Sequence, residues 1–230
     1  MNNLNKLTVV IVTYKTDPTI LRNCINSIDN NVEIKIVENS SKMENQPLLI
    51  NKKDNLSIYY TGKNLGYGAG NNYGFNLVNT EYVIVANPDI IFHKTFFDNV
   101  KKYLVSNLNF TIIGSTYNEE TSFSSSGLFK ENEKKKYQND LDFYLKKSFD
   151  TLTKVDWVTG CMMLINLKKF DNRKLFDESF FLYFEEFDLC KSIELKNENV
   201  FSAKDLLIDH LGYKGSFGSN PDNQLESEKL

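Results

Sequence analysis

The chain lacks the excess of positive charge that nucleic-acid-binding proteins carry. Its 230 residues include 27 Lys and Arg against 30 Asp and Glu, which gives a formal net charge of −3 and a pI near 5.5. Binding to a phosphate backbone requires a basic surface. Nucleic acid is therefore excluded as the main partner.

Cysteine is scarce. The chain has three cysteines, Cys24, Cys161 and Cys190, which are odd in number and far apart, and none belongs to a metal-type pair. We expect reduced thiols, as in a cytoplasmic protein.

Long apolar runs are also missing. No stretch reaches the roughly 18 residues that a membrane-spanning helix needs, and the first six residues lack the apolar core of a signal peptide. The expected location is the cytoplasm, with peripheral attachment to the inner face of the plasma membrane left open.

What the sequence does contain is enough apolar material for one sizeable α/β domain. Hydrophobic residues make up 41% of the chain and aromatic residues 13%. A β-branched run at 7–12, an amphipathic pattern at 18–30 and an alternating run at 32–37 predict a βαβ unit. Further strands are predicted at 56–60, 82–87, 111–114, 161–165, 200–203 and 206–210, and further helices at 67–79, 94–105 and 185–196. With no repeat or linker to divide the chain, we predict a single Rossmann-like domain whose mixed, mostly parallel central sheet is flanked by helices.

The segment from Tyr82 to Asp89 is typical of a buried strand that ends abruptly. Pro88 cannot donate to a sheet ladder, so the strand ends at about Asn87 and Asp89 follows at the carboxyl edge of the sheet. A carboxylate there suits a divalent cation held jointly with a substrate phosphate. The alternative is a turn residue that caps the next helix.

A glycine-rich loop follows the third predicted strand. Gly66, Gly68 and Gly70 favour a positive φ or a close approach of the backbone to a ligand. They lack the G-x-G-x-x-G spacing and do not follow the first strand, so a nicotinamide or flavin site is not predicted.

Two adjacent acids, Glu185 and Glu186, follow a strongly aromatic run. Acids favour helix N-termini through the dipole, which is the simpler explanation. The aromatic run indicates instead that this turn lies inside the protein, where a carboxylate with a raised pKa can act as a general base. Neighbours on a helix diverge by about 100°, so only one of the two can point at a given centre.

His210 and Trp157 each allow two interpretations. His210 ends an apolar strand and is either a rim residue or, if it shares a sheet edge with Asp89, a metal ligand. Trp157, between Asp156 and Gly160, is either a core anchor or part of a carbohydrate pocket. His93 is expected on the surface at the start of a helix.

Together these motifs resemble the glycosyltransferase family 2 enzymes of the GT-A fold, particularly the bacterial rhamnosyltransferase-like group. The resemblance extends over about 7–216 and is carried by the order and spacing of its segments. They are 9–15, 37–41, 64–74, 87–89, 158–165, 180–189 and His210. The chain departs from the family pattern at three positions, since Asn87 replaces the first acid of Asp-x-Asp and Glu38 and Glu186 stand where Asp is usual.

The resemblance implies a role for each candidate residue. The nucleotide site would comprise Thr13, Tyr14, Glu38, Asn64, Gly66 and Asn87. Asp89 and His210 would hold Mg²⁺ or Mn²⁺ on the donor diphosphate. Glu186 would be the catalytic base, with Glu185 as its competitor, and Asp156, Trp157 and Gly160 would line the acceptor or sugar pocket. The nucleotide-binding part would cover about 7–90, the acceptor side about 91–216, and 217–230 would be a polar tail.

The implied activity is an inverting, metal-assisted transfer of rhamnose or another hexose from a nucleoside-diphosphate sugar. UDP- or dTDP-linked donors are expected, and the acceptor would be a hydroxyl of a glycan or lipid-linked glycan in bacterial polysaccharide, lipopolysaccharide or capsule assembly. Two alternatives remain: a nucleotidyltransferase, and an inactive sugar-nucleotide-binding assembly partner. A homodimer is left open.

Overall fold

The computed structural model describes residues 3–40, 53–117, 126–127 and 151–211, so the predicted tail at 217–230 lies outside the described residues. The strands are β1 (Leu7–Thr13), β2 (Glu33–Glu38), β3 (Leu56–Tyr60), β4 (Tyr82–Ala86), β5 (Ile90–Phe92), β6 (Ile112–Tyr117), β7 (Ser126–Gly127), β8 (Leu152–Val155), β9 (Trp157–Val158), β10 (Met162–Asn166) and β11 (Val200–His210). The helices are α1 (Pro18–Ser27), α2 (Tyr67–Asn76), α3 (Phe96–Val105) and α4 (Glu185–Leu195), with 3₁₀ turns at Asn3–Lys6 and Leu167–Lys169.

One central sheet organises these elements. Its strand order is β3-β2-β1-β4-β10-β6-β11-β5, and β8 also pairs with β11, while β7 and β9 form a separate two-stranded ribbon. The strands from β3 to β4 run parallel, and β10 then runs antiparallel to both β4 and β6. The predicted mixed α/β fold with a central sheet flanked by helices is confirmed. The sheet was predicted to be mostly parallel, whereas four of its eight described strand pairings are antiparallel.

The central strands are covered by helices on both faces. Apolar residues of α1 and α3 share one buried cluster with Val9, Ile11 and Ile84, while those of α2 and α4 share the other with Val10 and Val85. Alternate residues of one strand thus enter opposite clusters, which explains why β1 and β4 are almost continuously apolar. Among the residues described, none of the helices has the length and apolar character required to span a bilayer.

Helix α2 packs close to β1 because it carries glycines on the side that faces this strand. A Cβ at Gly74 would lie 2.5 Å from a methyl group of Val10, and one at Gly70 would lie 2.9 Å from Val12. The Cβ of Gly68 would meet Phe176 at 3.0 Å. Close packing within the protein accounts for these three glycines, and neither Gly68 nor Gly70 has the positive φ that was one of the two expectations for them.

Two sequence-based element assignments differ from the structure at the far side of the sheet. The two strands predicted at 200–203 and 206–210 form one strand, β11, with an irregular register between Ser202 and Leu207. The intervening Lys204 stays paired because its N–H donates to the Thr151 carbonyl at 2.8 Å. The helix expected from residue 94 begins at Phe96, since the short strand β5 first pairs with the end of β11.

Candidate functional site

The predicted site residues collect at one edge of the sheet. Strands β1, β2, β4, β6 and β11 share one direction, so their carboxyl ends meet at this edge, and the antiparallel strands β5 and β10 begin there. The edge carries Thr13, Glu38, the Asn87–Asp89 tip, Gly160 and His210. Ligand sites of open α/β sheets lie outside such an edge.

At the ends of β1 and β2, Thr13 and Glu38 form a buried polar pair. Both residues are fully buried, and the Thr13 hydroxyl donates to Glu38 Oε2 at 2.7 Å. Tyr14 follows on the rim, half-buried, with the Lys15 ammonium 5.2 Å from its ring centroid. Lys15 itself adopts a left-handed backbone with φ +51°. The end of β1 thus combines a carboxylate oriented by Thr13 with an aromatic side chain at the next position of the chain.

The loop after β3 is fastened to this corner by Asn39, which sequence reasoning missed. Asn39 Nδ2 donates to the Gly66 carbonyl at 2.8 Å and to Asn64 Oδ1 at 3.3 Å, and the Gly66 N–H donates to the same Asn64 oxygen at 3.0 Å. Asn39 is buried and directly follows Glu38. Its place in the polar run that ends β2 was the signal that could have revealed it.

Gly66 is the loop position that requires glycine. Its φ is +85°, and a Cβ there would collide with the backbone carbonyl of Phe181, whereas Gly62, with φ +81°, has open space around it.

The positive φ alone costs an L-residue roughly 1–2 kcal/mol. Gly66→Ala should lower the free energy of unfolding by clearly more than that, and Gly62→Ala by about that amount. Urea denaturation of both variants measures the difference, and equal losses would show that the contact with Phe181 is unimportant.

Asp89 and His210 face each other where β5 pairs with the end of β11. The register places His210 opposite Ile90, and His210 Nε2 lies 3.4 Å from Asp89 Oδ1. Asp89 is 2% exposed, and its Oδ1 has no hydrogen-bond partner among the described residues. A buried, unsatisfied carboxylate oxygen beside an imidazole fits a divalent cation.

These two side chains would provide only part of a coordination sphere. Within the described ranges, no group of three or more His, Cys, Asp or Glu side chains could hold a metal ion. Mg²⁺ and similar ions commonly use one or two carboxylates and take the rest of their ligands from substrate phosphates and water. The donor set therefore fits a cation that binds together with a phosphorylated ligand.

Helix α4 begins with the acidic pair. Glu185 is 3% exposed with no hydrogen-bond partner for Oε2 among the described residues, and burial, reinforced by the charge of Glu186, raises its pKa to about 7. Burial also raises the pKa of Glu186, opposed by hydrogen bonds from its own backbone N–H and from that of Gly160. Glu186 is only half-buried, so of the two acids it is the one a substrate can reach.

The acidic pair is connected to the β4 tip through the turn before β10. The Asn87 N–H donates to the Cys161 carbonyl at 2.8 Å, and the neighbouring Gly160 N–H favours the ionised form of Glu186 and so lowers the pKa of its carboxyl. Asn87, two residues before Asp89, and Glu186 are thus both linked to this short turn. The turn connects the β4 tip, which carries Asp89, with the first turn of α4.

Aromatic side chains lie beside the acidic pair at the start of α4. The Trp157 and Phe187 rings lie 4.6 Å apart, and the Phe184 ring lies 6.0 Å from Phe187. The turn that carries the acids was expected inside the protein, and Glu185 is indeed 3% exposed. Tyr183 and Phe184 just before it are 52% and 67% exposed, and both have left-handed backbones. Asp156 and Trp157 are half-buried on the same β8–β9 side. Exposed aromatic residues in strained conformations commonly mark ligand sites.

His93 does not belong to this site or to a helix. It follows β5, half-buried, with its Nε2 3.1 Å from Asp209 Oδ2. Asp209 precedes His210 on β11, and neighbouring residues of a strand point to opposite faces, so this pair lies away from Asp89.

Comparison with known sequences gives a family match. The profile of the family described as Glycosyl transferase family 2 matches residues 8–173. The low-salt glycan biosynthesis hexosyltransferase Agl10 of Haloferax volcanii is 29% identical over 215 residues, which cover 86% of this chain and 64% of that protein. The rhamnosyltransferase WbbL of Escherichia coli is 26% identical over 163 residues, covering 60% and 57%. This chain thus spans less than two thirds of the length of either relative.

Comparison with solved structures gives the same fold. GalNAc-T7, crystallised with UDP, GalNAc and Mn²⁺, superposes with a TM-score of 0.63 at 12% identity, covering 89% of this chain and 43% of that one. The Pyrobaculum calidifontis mannosyltransferase PcManGT, in complex with GDP-Man and Mn²⁺, has a TM-score of 0.62 at 13% identity, covering 89% and 56%. S. aureus TarS 1–349 has a TM-score of 0.60 at 14% identity, covering 86% and 60%. These neighbours show the GT-A fold.

Proposed function

The chain belongs to glycosyl transferase family 2, and on that premise we propose that it transfers a hexose from a nucleoside-diphosphate sugar to a hydroxyl of a surface glycan, with inversion and with the help of a divalent metal. The observation that carries this proposal is that the β4 tip, through Asn87, and Glu186, through Gly160, are linked to the same turn before β10. A relative named as a hexosyltransferase and two neighbours crystallised with Mn²⁺ support it.

The nucleoside would bind at the ends of β1 and β2. The Glu38 carboxylate, oriented by Thr13, would accept hydrogen bonds from the base, and the Tyr14 ring would provide an apolar face against it. Asn64 and Gly66, held by Asn39, would form the wall near the ribose or the phosphates, and Asn87 would close the site on the β4 side.

Asp89 and His210 would hold Mg²⁺ or Mn²⁺. Bound there, the cation would supply positive charge against the negative charge that develops on the leaving nucleoside diphosphate. Asp89 supplies a carboxylate that is already buried and unsatisfied, so little reorganisation is needed when the donor arrives. With Asn87 in place of a second acid, the diphosphate must provide more of the ligands.

Glu186 would act as the base in a single displacement. Its carboxylate takes the proton of the acceptor hydroxyl, while the acceptor oxygen forms a bond to the anomeric carbon. The bond from that carbon to the diphosphate oxygen breaks on the opposite side, so the configuration inverts. Asp156, Trp157 and Gly160 would line the pocket for the donor sugar or the acceptor, where the Trp157 and Phe187 rings offer faces for sugar C–H groups.

A thermal-shift screen with UDP, dTDP and GDP, each with and without Mn²⁺, tests the donor site. A ligand at 100 times its Kd stabilises the folded state by about 2.7 kcal/mol, which corresponds to a rise in Tm of roughly 5–10 °C for a chain of this size. We expect at least one nucleotide to produce such a rise, and a larger one with Mn²⁺. If no nucleotide raises Tm under either condition, the donor-site proposal fails.

A further inference from the structure

We propose that Tyr67 is a positioning residue for Glu186, acting through Gly160 and Phe181 and not through contact with substrate. The inference rests on the proposed function in one respect: the effect on turnover presupposes that Glu186 is the base. The geometric claim, that Tyr67 fixes the surroundings of the Glu186 carboxylate, stands without it.

Tyr67 holds the two segments that define where Glu186 lies. Its hydroxyl donates to the Gly160 carbonyl, and its backbone N–H donates to the Phe181 carbonyl at 3.0 Å. Phe181 lies four residues before the first residue of α4. The Gly160 N–H in turn acts on the Glu186 carboxylate, whose pKa it lowers. Tyr67 thus fixes both the segment that leads into α4 and the Gly160 backbone, whose N–H acts on the Glu186 carboxylate.

Gly160 is fitted to this contact. A Cβ at that position would lie 3.1 Å from the Tyr67 hydroxyl oxygen, which is closer than most side chains tolerate. Glycine therefore allows the phenol to reach the backbone. Glycine also has more backbone freedom than other residues. The hydrogen bond from Tyr67 is therefore important in fixing the orientation of the Gly160 backbone.

Tyr67 is itself held firmly by its neighbours. Its ring packs edge-on against Phe176, with centroids 5.8 Å apart. The buried Asn72, five residues further along α2, accepts from the N–H groups of Leu175 and Phe176 at 2.9 and 3.0 Å and donates to the Phe176 carbonyl at 2.8 Å. Since the glycines of α2 pack directly against β1, the tyrosine is tied to the centre of the sheet.

Removing only the phenolic oxygen should reduce turnover without weakening donor binding. Misplacing a catalytic group by about 1 Å can cost roughly 100-fold in rate, so we expect Tyr67→Phe to lower kcat by roughly 10–100-fold. The KM for the donor should change by less than about threefold, because the Tyr67 hydroxyl is not proposed to contact the donor and its removal leaves donor binding intact. The ring and the backbone N–H, and with them the packing on Phe176 and the bond to Phe181, remain in the variant.

The pKa of Glu186 offers a readout that does not depend on turnover. The Gly160 N–H lowers this pKa, so a displaced Gly160 should let it rise further. Within the part of the chain that the structure describes, the titratable groups that interact with Glu186 are Glu185 and Cys190 on α4, and both are retained in the variant. The ascending acid limb of the pH–rate profile should therefore move to higher pH.

The experiment compares wild type, Tyr67→Phe and the control Tyr73→Phe, which alters an exposed tyrosine of the same helix. It measures kcat, the donor KM, the pH–rate profile and the Glu186 titration by carboxyl ¹³C NMR, with the signal assigned through Glu186→Gln. A lower kcat and a higher Glu186 pKa in Tyr67→Phe alone are expected. Unchanged kcat and titration overturn the proposal, as does an equal loss in donor affinity. If wild type transfers no sugar, the proposed function fails, and the NMR titration still decides whether Tyr67 positions Glu186.

Discussion

Replacing Glu186 with glutamine is expected to lower kcat about 10²–10⁴-fold, the contribution usual for a positioned general base. Glutamine keeps the shape and can still accept the Gly160 N–H through its carbonyl oxygen, but it cannot take a proton. Nucleotide binding, measured by thermal shift, should be unchanged because the nucleoside corner at Thr13 and Glu38 is not altered. In wild type, activity should rise with pH through the raised pKa of Glu186, since only the ionised form is a base.

Glu185→Gln is the matched control for this assignment. Glu185 carries the same acid one residue earlier but is 3% exposed, so a hydroxyl of the acceptor reaches it less readily than Glu186. We expect Glu185→Gln to retain far more activity. A larger loss in Glu185→Gln than in Glu186→Gln would reverse the roles of the two acids. Nucleotide binding by a wild type that transfers no sugar to any acceptor would favour the inactive assembly partner.

The sequence predicted the parts of the site that depend on where strands end. Apolar runs locate buried strands, and a proline just after such a run marks the strand end, so the sequence alone places Asp89 at the sheet edge. The same argument placed His210 at the end of an apolar run. The structure brings the two to 3.4 Å because β5 pairs antiparallel with the end of β11.

The sequence could not predict the contacts that fasten these parts together. Asn39, Tyr67 and Phe181 act through hydrogen bonds between segments that are distant in the chain, such as Tyr67 with Gly160. No periodicity reports such contacts. The strand β5 was missed because three residues are too few to show a pattern, and it forms only through pairing with the end of β11.

Glycines and aromatic residues were ambiguous for a different reason. A glycine can serve a ligand, a turn or close packing, and the sequence is the same in each case. Gly66 takes the positive φ that was expected, whereas Gly70 and Gly74 pack against β1. Similarly, an aromatic run indicates burial on average, yet the left-handed backbone at Tyr183 and Phe184 places both rings at the surface beside the acids.

Asp89→Asn is expected to remove most of the effect of Mn²⁺ on nucleotide binding and to lower kcat about 10²–10³-fold, as losing one charge-stabilising group typically does. The substitution preserves size and removes one negative charge from a position that is 2% exposed. A neutral amide oxygen is a weaker ligand for a hard cation than a carboxylate, so the metal should bind poorly even with the diphosphate present. Thermal shifts with a nucleoside diphosphate, with and without Mn²⁺, measure the metal-dependent increment directly.

The Tm of the ligand-free protein distinguishes a metal ligand from a carboxylate that stabilises the fold. Asp89 Oδ1 accepts no hydrogen bond among the described residues, and an asparagine keeps an oxygen that can face His210 Nε2, which lies 3.4 Å away. An amide at this position should therefore not unfold the domain, because burying a neutral group is easier than burying a charge. The ligand-free Tm of Asp89→Asn should therefore be at or above that of wild type. Asp98→Asn, which changes an exposed carboxylate paired with Lys101 on α3, should leave both the Tm and the Mn²⁺ increment unchanged. An Mn²⁺ increment in Asp89→Asn equal to that of wild type would show that the cation is held elsewhere, and the buried carboxylate would then need another explanation.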